Sequence, residues 1–123
     1  MKNASINLTK GETKMRTYEN KNKIARYKFT VPVVVFCPLG DDYYNTTVVV
    51  DVELDKKIVD FLDLEDYFEK RLNGQHLTTE ELAAEVRDTI AKEYEPKSVR
   101  VEIVGGSHID AHTITEWKRE EAA

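Results

Sequence analysis

The sequence predicts an α+β domain, an antiparallel sheet with two helices on one face, in the order strand-strand-helix-helix-strand-strand. Three observations predict it. Val48, Val50, Val52 and Leu54 alternate with polar residues, as do Val99, Val101 and Ile103, and that is the period of a half-buried strand. Leu82, Val86 and Ile90 recur every four residues, the spacing of a helix face. The strands come in consecutive pairs around Gly-, Pro- and Asp-containing loops, as hairpins do.

Residues 1–24 show neither periodicity and are rich in Asn, Lys and Thr, so they read as a flexible basic arm with at most one short edge strand. Met15 offers an internal start. Residues 25–118 read as a single domain and 119–123 as a tail. Phe29 to Phe36 is β-branched and apolar, a strand that Pro32 assigns to a sheet edge or a bulge. Cys37-Pro38-Leu39-Gly40-Asp41-Asp42 is a loop, and Thr46 to Leu54 returns as the second strand. Asp63 is positioned to cap the first helix, whose stripe is Leu64, Tyr67, Phe68 and Leu72, and Asn73-Gly74 stops it. Thr78 with Glu81 three residues on is a capping box for the second helix, which Pro96 ends. Val99 to Ile103 and His108 to Trp117 are the last strand pair, broken at Gly105-Gly106.

The chain has 123 residues and 14.2 kDa, enough for one compact core. With 41% hydrophobic and 33% charged residues it is too apolar for a disordered chain and too charged for a membrane protein. No apolar run approaches the roughly 20 residues of a spanning helix, and the polar start lacks the apolar centre of a signal peptide. The single cysteine, Cys37, excludes an intramolecular disulfide and points to a reducing cytoplasm. The net charge of −5 is uneven: eight cations lie between Lys2 and Lys28, against Glu12 and Glu19. The acidic remainder repels phosphate backbones, which argues against non-specific DNA binding by the body. The basic arm is open to RNA contact, to an acidic neighbour or to a solvated tail.

Several side chains carry chemistry. Cys37 follows an apolar strand and opens an acidic loop, so it is either a nucleophile with Asp41 or Asp42 managing the proton, or a small apolar residue at a strand end. Glu80, in the first turn of a capped helix, is either an acid favoured by the helix dipole or a carboxylate that accepts N–H bonds from a base. His76 stands just before that cap. His108, Asp110 and His112 share one strand face, as metal ligands or as a solvated surface, and no third strong ligand is apparent beside them.

The order of elements matches the tunnelling fold, or T-fold, and the motifs resemble one family within it. Cys37-Pro38-Leu39-Gly40-Asp41-Asp42-Tyr43 resembles the Cys-Pro-x-x-Gly-x-x-Asp-aromatic loop of the 7-cyano-7-deazaguanine (nitrile) reductases and their archaeal amidinotransferase relatives, one or two residues shorter. Asp55 to Asp60 resembles that family's acidic stretch between strand and helix. Thr79-Glu80 falls at its His-Glu, and Gly105 to Asp110 resembles its Gly-Gly-x-x-Ile-Asp. The likeness is collinear over roughly residues 27–117. Val59-Asp60-Phe61 and Thr79-Glu80 are also similar to pyruvoyl-tetrahydropterin synthases, without their zinc-binding His-x-His. Glu80-Glu81-Leu82-Ala83 is similar to dihydroneopterin aldolase, without its Lys-Pro.

The resemblance implies subunits joined edge to edge into an oligomeric barrel, with sites between them and a small purine- or pterin-like ligand. It implies catalytic Cys37 with Asp41 or Asp42, and ligand-binding Glu80, Thr79 and His76, with His76 a substitute for the family histidine. Where the reductases carry a Ser/Lys-rich cofactor segment, this chain has Phe61-Leu62-Asp63-Leu64-Glu65-Asp66. Acidic groups there oppose cofactor phosphates, so no cofactor and no metal is expected. An amidine-forming transfer through a thioimide, or base binding without chemistry, is expected instead of reduction.

Overall fold

The computed structural model describes residues 14–38, 42–106 and 109–122. Four strands form the main antiparallel sheet: β2 (Arg26–Phe36), β3 (Tyr43–Glu53), β5 (Ser98–Gly105) and β6 (Ala111–Lys118), in the order β2-β3-β5-β6. A smaller ribbon pairs β1 (Thr17–Glu19) with β4 (Lys57–Val59). Between the strand pairs lie α1 (Phe61–Asp66), a π-helical continuation (Tyr67–Leu72) and α2 (Thr79–Tyr94), and α3 (Arg119–Ala122) ends the described chain.

One face of the sheet is covered. Val33 and Val35 of β2, Val48, Val50 and Val52 of β3, and Val101 and Ile103 of β5 are fully buried. Their partners on the other face, such as Lys28, Thr30, Thr47 and Arg100, are exposed. The register explains this: Val48 stands opposite Val31 and Ile103, and Val50 opposite Phe29 and Val101, so one alternation phase supplies every strand's apolar side. Helix α2 lies across β5 and β6, and the π-helix packs on β2, where Phe68 meets Phe29 edge-on at 5.7 Å.

The helix that follows β4 differs from expectation at both ends. Asp63 does not cap it. Asp60 occupies the cap position with extended backbone (φ −60°, ψ 128°), and its side chain makes no capping bond. Both carboxylates are turned to Arg16: the Arg16 N–H and Nε–H donate to Asp63 at 2.8 and 2.9 Å, and Nη2 donates to Asp60 at 2.9 Å. A guanidinium fork presents several charge-assisted donors, which outcompete the backbone N–H groups of a helix start. Beyond Asp66 the helix widens, and Asn73 N–H reaches Phe68 C=O, five residues back, at 3.1 Å. The widening keeps Tyr67, Phe68 and Leu72 all in the core.

Of the stretch expected as an arm, residues 1–13 lie outside the described residues, and 14–24 belong to the fold. Met15 is buried, and Asn20, 9% exposed, bonds Ile24 and Asp55 through its side-chain amide and Lys56 through its backbone N–H. A three-residue strand and one Asn-centred turn carry no periodicity, so local pattern does not announce them. The C-terminal segment is likewise fastened, since Arg119 donates to Asp55 and to the carbonyl of Glu95, both at 2.9 Å. No helix among the described residues is long and apolar enough to cross a membrane.

Candidate functional site

The loop between the two helices is stitched to the outer edge of β2. Asn73 Oδ1 accepts from Val34 N–H at 2.9 Å, Gly74 N–H donates to Val34 C=O at 2.7 Å, and Gln75 C=O accepts from Phe36 N–H at 2.9 Å. The N–H groups of Val34 and Phe36 therefore point away from β3. Pro32 shares their parity, so its missing N–H costs the β2–β3 ladder nothing. The same stitching carries His76 to the end of β2, where its ring lies 4.5 Å from that of Phe36 at 34°. Phe36 in turn meets its cross-strand partner Tyr43 edge-on at 4.7 Å. An aromatic group thus borders the residue that follows, Cys37.

Cys37 is half-buried, and its N–H donates to Asp42 C=O at 2.8 Å, closing the loop. Asp42 is exposed, and its carboxylate accepts from Tyr43 N–H at 2.8 Å. Asp41 lies outside the described residues. Tyr44 stands opposite Val35 on the core side of the sheet, and its hydroxyl donates to Leu77 C=O at 2.7 Å. Burial, with nearby Cys37, Glu80 and Glu81 as lesser causes, pushes the Tyr44 hydroxyl up to about 12. It is therefore a hydrogen-bond donor throughout the neutral range. The Tyr44–Leu77 bond brings the strand pair that leads to Cys37 beside the start of α2, which carries Glu80.

The capping box holds the helix start. Thr78 Oγ1 accepts from Glu81 N–H at 3.1 Å, and Glu81 Oε1 accepts from Thr78 N–H at 3.0 Å. This orients Thr79 and Glu80 in the first turn. Glu80 is exposed, with the Thr79 hydroxyl as a weak donor at 3.4 Å, and Thr79 also receives Thr113 of β6 at 3.4 Å. At the end of β5 the strands approach closely, since a Cβ on Gly105 would lie 2.8 Å from Asn45 C=O of β3.

The structure thus gathers Cys37, Asp42, His76, Thr79 and Glu80 at the end of the sheet where β2 meets the α2 cap. The other candidate group is apart from them. His108 is outside the described residues, Asp110 is exposed, and His112 Nδ1 is 2.5 Å from Glu102 Oε2 on the open sheet face. The imidazole holds the Glu102 carboxyl below its ordinary range. Among the described residues no three His, Cys, Asp or Glu side chains converge as metal ligands. Tyr44, Phe36 and Gln75 are the site residues that sequence reasoning missed. Tyr44 was detectable, because it continues the core phase of Thr46, Val48 and Val50 into the loop.

The antiparallel four-stranded sheet, with two helical segments inserted between its two strand pairs, has the element order of a T-fold. No protein-family model and no curated protein matches the chain. Among solved structures, the fold is similar to that of the archaeosine synthase QueF-like in its apo form, with a TM-score of 0.70 and 14% sequence identity. The match covers 76% of this chain and 93% of that one. The architecture is therefore a T-fold.

Proposed function

We propose that this chain binds a purine or 7-deazapurine base at the Cys37–Tyr44–Glu80 end of the sheet and processes a nitrile on it. The observation that carries the reading is the bond from the Tyr44 hydroxyl to the Leu77 carbonyl, which ties the strand pair that ends at Cys37 to the start of the helix that carries Glu80. The likeness to an archaeosine synthase supports the substrate class. Glu80 accepts the N–H edge of the base, with Thr79 beside it, and the Phe36–His76 group borders the ring. The Cys37 thiolate adds its electron pair to the nitrile carbon, and the nitrile nitrogen takes a proton from Asp42 or Asp41, giving a thioimide. Ammonia then adds to that carbon and gives up one proton to the Asp carboxylate, the thiolate leaves, and an amidine results. The electron count does not change, so no NADPH is consumed. In this reading a second subunit, paired along the open stretch of the β2 edge or along β6, completes the sheet and covers Glu80.

Incubation with 7-cyano-7-deazaguanine followed by intact-mass measurement tests the chemistry. The expected result is a ligand adduct that is absent in Cys37→Ala. One observation favours a second reading: Asp42, Glu80 and Glu81 make an acidic setting, whereas reactive thiolates prefer cations nearby. The chain is then a binding module for a purine, pterin or nucleotide, or an oligomeric scaffold. Reversible binding that Cys37→Ala leaves unchanged would decide for the module.

A further inference from the structure

Glu93 lies on the core side of α2, 6% exposed, one turn from Ile90 and two from Val86. Its carboxylate accepts the backbone N–H of Met15 at 3.1 Å. Among the described residues no Lys, Arg or His pairs with it. A buried carboxylate is costly unless a cation or several donors face it, and one neutral amide is a thin counterpart. The nitrogen it holds belongs to a methionine, the residue on which chains begin.

We propose that a form of this protein starts at Met15, by initiation at that residue, and that Glu93 holds its α-ammonium. The same nitrogen then carries a positive charge and three protons, which converts a lone amide contact into a buried ion pair. A cleft of about 230 Å³ opens beside Met15 and has room for solvent at the other two protons. The groups that face it are Asp63 and Asp66 of α1 and Tyr67, Lys70 and Arg71 of the π-helix. Asp63 is matched by Arg16 and Asp66 by Lys70 at 3.4 Å, so Glu93 is the carboxylate still to be matched.

The rest of the fold is compatible with this start. Among the described residues every member of the core cluster lies at or after Met15, and β1 begins two residues later, so a chain of residues 15–123 keeps that described core. Arg16 follows Met15, and aminopeptidases that trim initiator methionine act before small residues, so Met15 is retained. Met15 is 4% exposed, which shields the Lys14–Met15 bond in the folded chain and favours initiation over proteolysis.

The test has two arms. The gene is expressed with its own upstream sequence and the product read by intact mass and N-terminal sequencing. A species that begins at Met15, and is lost in Met15→Leu, is expected. Exclusive recovery of the chain from Met1 overturns the inference, and so does a short species that persists in Met15→Leu. In the second arm the α-amino pKa of the 15–123 chain is measured from the pH dependence of its acylation. It should lie well above the ordinary value of about 7.7–8.0 and return to that range in Glu93→Gln. An ordinary value in the unsubstituted short chain overturns the ion pair, whether or not the variant folds. Because the folded value is raised, the added stability is complete below about pH 8 and is lost as pH rises through the folded value. The short chain should therefore melt about 4–8 °C above the full chain at pH 7, and the gap should close in strong alkali.

Discussion

The Tyr44 hydroxyl donates to the carbonyl oxygen of Leu77 at 2.7 Å, which ties the start of β3 to the residue before the α2 cap. Leu77 is 3% exposed, so its carbonyl has little access to water. Tyr44→Phe leaves that acceptor unpaired. The loss should be about 1–3 kcal/mol, read as a lower urea midpoint at unchanged slope. On the proposed function the variant should also bind a base more weakly, since the strand end and the helix cap are no longer tied.

Arg16 holds the Asp63 carboxyl at about 2, through its side-chain and backbone hydrogen bonds and then its charge. A depressed folded value contributes stability above the unfolded value, about 3.9, which is lost as pH falls through about 2. Asp63→Asn should therefore be less stable than the parent at pH 7. The gap in urea midpoints should shrink between about pH 4 and pH 2, and added salt should reduce it, because Arg16 is largely exposed. A constant gap across that range would remove the ion pair from the account.

Thr78→Ala removes the acceptor for Glu81 N–H in the capping box. The expected cost is about 1 kcal/mol, within a range of roughly 0.5–2, measured by chemical denaturation. On the proposed function base affinity should fall as well, because the first turn carries Thr79 and Glu80.

Glu80 is exposed, and its side chain has only a long contact with the Thr79 hydroxyl. Glu80→Gln should leave the melting temperature nearly unchanged. If Glu80 accepts a base, calorimetry should show binding weaker by about 1.5–3 kcal/mol, the range of a hydrogen bond to a charged group. Equal affinity would exclude Glu80 from the site, and a large drop in melting temperature would make it structural.

The outer edge of β2 is occupied at Val34 and Phe36 by the inter-helix loop, but no described strand pairs with the Arg26–Pro32 stretch there. An unpaired edge of this kind invites another chain. Light scattering at micromolar concentration should report a homo-oligomer. A monodisperse monomer would mean that the edges and Glu80 are not covered by a second copy.

The sequence by itself determined the sheet and its buried side. The alternation of Val48, Val50 and Val52 and of Val99, Val101 and Ile103 leaves a single register phase that hides all of them. It determined α2, because the Thr78–Glu81 box and the four-residue spacing are local signals. It also placed Pro32 at an edge, because proline has no N–H to give a ladder. Tertiary structure decided what depends on distant partners. Asp63 reads locally as a cap, but Arg16, supplied by the β1–β4 ribbon, offers several charged donors and takes it. Met15 and Asn20 read as arm, yet both are buried, Met15 at its bond to Glu93 of α2 and Asn20 in its bonds to Ile24, Asp55 and Lys56. The neighbourhood of Cys37, Tyr44, His76 and Glu80 arises only when the inter-helix loop bonds to β2 and Tyr44 bonds to Leu77. Such contacts join residues remote in sequence, and their energies reside in hydrogen bonds and packing that no local pattern encodes.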